Sequence, residues 1–124
     1  MSIEEFRDYC LAKPGTTESF PFDEDTLVFK VMSKMYALTS LKKWEEGDRS
    51  INLKCDPKKA VELREKYPDD ILPGYHMSKK HWNTVIVEYG SLPDDFSKHL
   101  INHSYELVVS KLPKKEKEAL KELK

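Results

Sequence analysis

The chain has 124 residues, 39% of them hydrophobic and 35% charged, with a formal net charge of −1. That length fits one domain, residues 1–124, able to bury roughly two thirds of its unfolded surface without covalent staples. The composition holds no apolar run near the ~20 residues that span a bilayer. The near-neutral total also excludes long-range attraction to a polyanion, so any such binding must come from a local patch.

Ser2 followed three residues later by Glu5 is a capping box, and Phe6, Tyr9, Cys10 and Lys13 share one helical face. This predicts a first helix from Ser2 to about Lys13, stopped by Pro14-Gly15. Its first residues lack the cationic start and apolar block of a secretion signal, and Cys10 and Cys55 lack CxxC spacing. A reducing cytosol is the expected compartment. From Thr16 the pattern becomes strand-like: Leu27, Phe29 and Val31 alternate with Val28 and Lys30, and Tyr36, Leu38 and Ser40 with Met35, Ala37 and Leu41. Met32-Ser33-Lys34 is short enough to join these two runs as a hairpin. Residues 42–49 mix Lys42, Lys43, Trp44 and Arg49 with Glu45, Glu46, Gly47 and Asp48, and read as a long exposed hairpin tip of nearly cancelled charge. A third strand follows, with Ile51, Leu53 and Cys55 inward and Asn52 and Lys54 on a wet face.

Asp56-Pro57 is a strong helix start, an N-cap followed by proline at the first helical position. Ala60, Leu63 and Tyr67 form that helix's inner face and Pro68 ends it. The run Thr84-Val85-Ile86-Val87-Glu88-Tyr89 is the most strand-like in the chain. Residues 91–95 open a long helix with Phe96, Leu100, His103, Leu107 and Val108 at helical spacing; Pro113 breaks it, and residues 114–124 form a short charged helix. Consecutive strands with helices at the ends indicate an α+β fold, an antiparallel sheet flanked by helices.

Between Pro73-Gly74 and the last strand, Tyr75, His76, Lys79, Lys80, His81, Trp82 and Asn83 concentrate cations, aromatics and amide. Two adjacent ammonium groups can grip phosphate while Tyr75 or Trp82 stacks on a base or shapes the turn. The bland alternative is a wet turn beside a core tryptophan, since Trp82 is in phase with Thr84 and Ile86. Tyr75, His76 and Trp82 equally suit a pocket for a small anion or peptide. Other patterns carry less. His76 with His81, and His99 with His103, lack the third and fourth ligands that zinc requires, so neither metal nor cofactor is expected. No GxSxG or glycine-rich phosphate loop occurs, and Cys10 sits on an inner helix face, so no enzyme signature is present.

The block Gly74-Tyr75-His76-Met77-Ser78-Lys79-Lys80-His81-Trp82-Asn83-Thr84-Val85 stands with Ser104-Tyr105-Glu106-Leu107-Val108 later in the chain. Phe20-Pro21-Phe22 precedes the runs Leu27-Val28-Phe29-Lys30-Val31 and Lys34-Met35-Tyr36-Ala37. In these features the chain resembles the MmcQ/YjbR-like family of small bacterial proteins over nearly its whole length. The resemblance implies a CyaY-like (frataxin-like) sheet in a double-wing arrangement, and a DNA-binding role inferred from shape. The motif positions are His76, Lys79, Lys80, His81, Trp82 and Asn83; Ser78 stands where the pattern leads one to expect Asn. A frataxin-like sheet also raises iron, but the early acidic cluster here is short, within residues 18–25, and that function is not carried over. The resulting expectation is a monomeric, non-enzymatic cytosolic protein. It binds DNA with low sequence specificity through Lys79, Lys80, His81 and later lysines, assisted by Tyr75, His76, Trp82 and Asn83. The alternative is a small-ligand or protein-interaction module built on Tyr75, His76 and Trp82.

Overall fold

The computed structural model describes residues 1–74, 77–87 and 92–123. Helix α1 (Ile3–Leu11) begins where Ser2 Oγ accepts the Glu5 N–H at 3.1 Å and Glu5 Oε1 accepts the Ser2 N–H at 3.2 Å. That reciprocal cap satisfies two otherwise orphaned donors. Strands β1 (Thr16–Ser19), β2 (Thr26–Val31) and β3 (Lys34–Ser40) follow, then helix α2 (Leu41–Glu45), strand β4 (Ser50–Lys54) and helix α3 (Pro57–Lys66). Strands β5 (Ile71–Pro73) and β6 (Trp82–Ile86) and helices α4 (Asp94–Ser110) and α5 (Lys114–Glu122) complete the order. The six strands form one sheet, β1-β2-β3-β4-β6-β5, antiparallel at every pairing. The expected α+β architecture is the observed one. Among the described residues, no helix is long and apolar enough to cross a membrane.

Three local outcomes differ from the sequence pattern. The β2–β3 turn uses only Met32 and Ser33, at φ 48° and 69°. Two left-handed residues give a turn whose twist matches that of the flanking strands. Alternation then fails in β3: Phe29 pairs with Ala37 but Lys30 with Met35, so Tyr36 is an extra residue and both Tyr36 and Ala37 join the helix-side core. This bulge leaves backbone groups without ladder partners. Ser104 of α4 supplies them, its hydroxyl donating to the Tyr36 carbonyl at 2.5 Å and accepting the Lys54 N–H at 2.9 Å.

The third correction concerns residues 42–49, expected as an exposed tip. They begin as helix α2, capped where Ser40 Oγ accepts the Lys43 N–H, and Trp44 is only 7% exposed. Its Nε1–H donates to Thr39 Oγ1 at 2.7 Å and to the Ser50 carbonyl at 3.3 Å. A large apolar ring with one satisfied polar atom gains more from burial than its charged neighbours lose, because they remain in water. β5 was not anticipated; its Pro73 is tolerated at the sheet edge, where no ladder donor is needed. β6 begins at Trp82, earlier than Thr84, while Glu88 and Tyr89 lie outside the described residues.

The helices cover one face of the sheet. Phe6 meets Phe29 edge-on at 5.3 Å, and Tyr36 meets Tyr105 edge-on at 5.2 Å. The inner face of α4 is Ser97, Leu100, Ile101, Ser104, Tyr105 and Val108, so Phe96, His103 and Leu107 sit at its margins. Leu120 of α5 closes over Gly15, where an added Cβ would lie 2.6 Å from Leu120 Cδ1 and φ is 73°. A side chain there would be strained in its backbone and would have to push Leu120 aside.

Candidate functional site on the uncovered sheet face

Paired residues of antiparallel strands point to the same side of a sheet. On the side away from the helices, Ser19, Val28, Leu38, Asn52, Thr84 and Leu72 therefore make one row across all six strands. At one end of that row lie Thr26 with Ser40, and Ser50 with Ile86. At the other lie Lys30 with Met35, and Lys54 with Trp82. Val28, Leu38 and Trp82 form a small buried cluster with Met35 and Met77 against it, and no helical residue belongs to it.

Above this face is a concavity of about 540 Å³. Leu38, Met35 and Met77 line its apolar part, and Phe22, 63% exposed, forms a wall. Thr26, Ser40, Ser50, Asn52 and Thr84 add polar groups, and Asp23 and Lys43 add charge. Thr84 Oγ1 donates to Asn52 Oδ1 at 2.6 Å, which orients the amide. Asp23 accepts the Asp25 N–H at 2.9 Å, the Thr26 N–H at 2.7 Å and the Thr26 hydroxyl at 3.2 Å. These bonds, the Asp25 amide foremost, hold its carboxyl below the usual carboxylate range.

Folding also gathers cations that the sequence separates. The described strand positions on this face include Lys30 and Lys54 and no carboxylate. The Cys55 N–H donates to the His81 carbonyl at 2.7 Å, and the Trp82 N–H to the Ser78 carbonyl at 2.9 Å. These bonds pin the Lys79–Lys80 turn beside Lys54, with both lysines exposed. Arg64 Nη1 donates to the Lys79 carbonyl at 3.0 Å, bringing a guanidinium to the same turn. The ion pairs of Arg7 with Glu18 and of the N-terminal ammonium with Asp94 touch none of these lysines.

The pleat divides the expected site. Lys79 and Lys80 are exposed and His81 half-buried. Trp82 is 7% exposed beneath its neighbours, so it shapes the turn and the floor, with no free ring face for a base. Asn83 points to the helix side, buried, its Nδ2 donating to the Ala60 carbonyl at 3.4 Å. A ligand on the uncovered face does not reach it. Tyr75 and His76 lie outside the described residues. Sequence reasoning did not assign Phe22, Asp23, Met35, Asn52, Met77 or Thr84 to the site, although Phe22, Met77 and Thr84 fall in the quoted motifs. The available signal was that β2 and β3 carry apolar residues on both sides, while the helices can cover only one.

Catalytic groupings are weak here. Burial pushes the Cys10 thiol up to about 12 and the Cys55 thiol to about 11, so neither is a ready nucleophile. His103 Nε2 accepts the Asp56 N–H at 3.4 Å, and burial, then Lys59, lower its pKa. Among the described residues, no group of three His, Cys, Asp or Glu side chains is placed to hold a metal.

The YjbR family model matches residues 11–107 of the chain. The uncharacterized protein YjbR of Escherichia coli strain K12 is 35% identical over 123 residues, 99% of this chain and 100% of its own. YbdF of Escherichia coli O157:H7 is 36% identical over 111 residues, 90% of this chain and 87% of its own. The crystal structure of Deinococcus radiodurans protein DR2400 aligns with a TM-score of 0.86 at 41% identity, covering 96% of this chain and 87% of that one. A Pseudomonas syringae protein aligns at 0.71 and 30% identity, over 86% of this chain and 98% of its own.

Proposed function

We propose that this chain, which belongs to the YjbR family, is a cytosolic nucleic-acid-binding module that acts by binding and not by catalysis. The observation that carries the reading is the lysine end of the uncovered face. Lys30 and Lys54 project from the sheet there, Lys79 and Lys80 stand on the adjoining turn, and Arg64 is held against it. The one carboxylate of the described strands, Glu18, faces the helix side and pairs with Arg7 at 2.8 Å, while Asp56 and Arg64 both lie near Cys55 beside the turn. A nearly neutral molecule thereby has one cationic end, which suits contact with phosphates at close range. Lysine is a flexible point charge, so such contacts fix position and carry little sequence information.

Fluorescence anisotropy on a labelled short duplex and on one of its strands, across a salt series, tests this. The Lys79→Ala/Lys80→Ala variant is expected to bind more weakly to every sequence. Its slope of log affinity against log salt should be shallower by about 2, roughly one per phosphate contact removed. Unchanged binding by that variant at every salt concentration refutes the role of the turn.

A further inference from the structure

We infer that the concavity on the uncovered face takes one unstacked nucleobase, with Phe22 as its stacking platform and the Asn52 amide against its edge. The inference rests on the nucleic-acid reading above and narrows it to unpaired nucleotides. The volume, about 540 Å³, falls in the range of small-ligand sites. Its floor joins Leu38 to the thioethers of Met35 and Met77, and sulfur is a favourable neighbour for a flat ring. Phe22 is 63% exposed on the wall of this cavity, so its ring is available where that of Trp82 is not. Sequence-tolerant binding of single strands uses such a platform beside a cationic track.

The polar groups follow the same direction. Thr84 engages Asn52 Oδ1, which leaves one acceptor lone pair and the amide NH2 for a base. Adenine, with an amino group beside a ring nitrogen, matches that pair. Asp23, kept ionised by its local hydrogen bonds, lies at the far end and accepts from an amine. Lys54 stands two residues from Asn52 on the same face, about 6.6 Å along the strand. A base resting against Asn52 therefore leaves its own phosphate at the Lys54 and Lys79–Lys80 end. Asn52 and Asp23 line the cavity together with Lys43, and the further ammonium groups of Lys54, Lys79 and Lys80 lie toward the other end, where a nucleotide carries its phosphate. A base inside a duplex has both its faces stacked on neighbours, so it does not reach the Phe22 ring.

Binding is measured by anisotropy at low salt with an oligodeoxyadenylate about ten nucleotides long, within the usual site size. The comparison ligands are an abasic strand of equal length and a duplex. Free AMP is titrated separately by amide NMR. The Phe22→Ala variant, whose altered side chain is on the surface, should bind the base-bearing strand about 5- to 150-fold more weakly. It should bind the abasic strand like the parent, while Lys79→Ala/Lys80→Ala weakens both. If removing the bases and removing Phe22 each leave affinity unchanged while the lysine variant still weakens it, the base site is refuted and the nucleic-acid reading stands. If AMP shifts the Asn52 and Met77 amides in a Phe22-dependent way but no oligonucleotide binds, the base site stands as a mononucleotide site and the nucleic-acid reading falls.

Discussion

The two faces of one sheet have opposite characters. Toward the helices, Phe6, Phe29, Tyr36, Ile51, Ile101 and Val85 are sealed from water, and even the bulge at Tyr36 has its hydrogen bonds completed by Ser104. Away from the helices, three buried residues and two methionines lie below an open concavity whose lining includes Asp23 and Lys43, with Lys30 and Lys54 at the other end of the same face. Both faces are built from the same strands by alternate residues. A sheet packed on one side needs apolar residues on that side alone, so apolar side chains on the other mark a surface kept for contact.

The sharpest way to break this comparison is to remove one ring from each face. Phe29→Ala should cost about 3–5 kcal/mol in urea unfolding, since it opens a cavity in a sealed core. Phe22→Ala should stay within about 0.5 kcal/mol of the parent, as surface substitutions do. If the Phe22 variant proved the more damaging, the uncovered face would be structural after all. Ser104→Val comes next. It orphans the Tyr36 carbonyl and the Lys54 N–H, at about 1–3 kcal/mol for each buried group left unpaired. Hydrogen exchange at the Lys54 amide should accelerate in that variant, and unchanged protection there would show that the hydroxyl bridge is dispensable.

The smallest effect is one of pH. His103 has its folded pKa lowered from the ordinary 6.5, first by burial and then by Lys59 and His99, with Asp56 and Glu106 opposing. The unfolded chain therefore takes up this proton more readily than the folded one. The stability held by neutral His103 is fully present above about 6.5, and it declines as pH falls through the lower folded value. Protonation also removes the acceptor for the Asp56 N–H at the start of α3. His103→Gln should flatten this part of the profile in thermal melts between about pH 7 and pH 5. A variant that loses stability on acidification as steeply as the parent would assign the effect to other groups.

Particular residues show how far the sequence was legible. The Ser2–Glu5 box, the Asp56-Pro57 start and the Pro113 break each depend on neighbours within four positions, and each appears where local pattern put it. Trp44 shows the limit. Its charged neighbours mark a loop, but where its ring would be buried depended on Thr39 and Ser50, at the other side of a turn. The Lys79 to Asn83 cluster shows the same limit at the candidate site. Proximity in sequence looked like proximity in function, yet strand pleating sends Trp82 and Asn83 to opposite faces.

Helix caps, strand propensities, the α+β class and family membership were fixed by residue type and short-range spacing, because the forces behind them act over one turn or one pair of residues. Which lysines share an end, which aromatic ring stays in solvent, and which face the helices leave bare were decided only by the tertiary structure. Antiparallel register brings Lys30 and Lys54 to one end of the sheet across 24 positions of chain, and the turn beside them adds Lys79. That register is set by global packing of apolar faces, a quantity to which no short stretch of sequence has access.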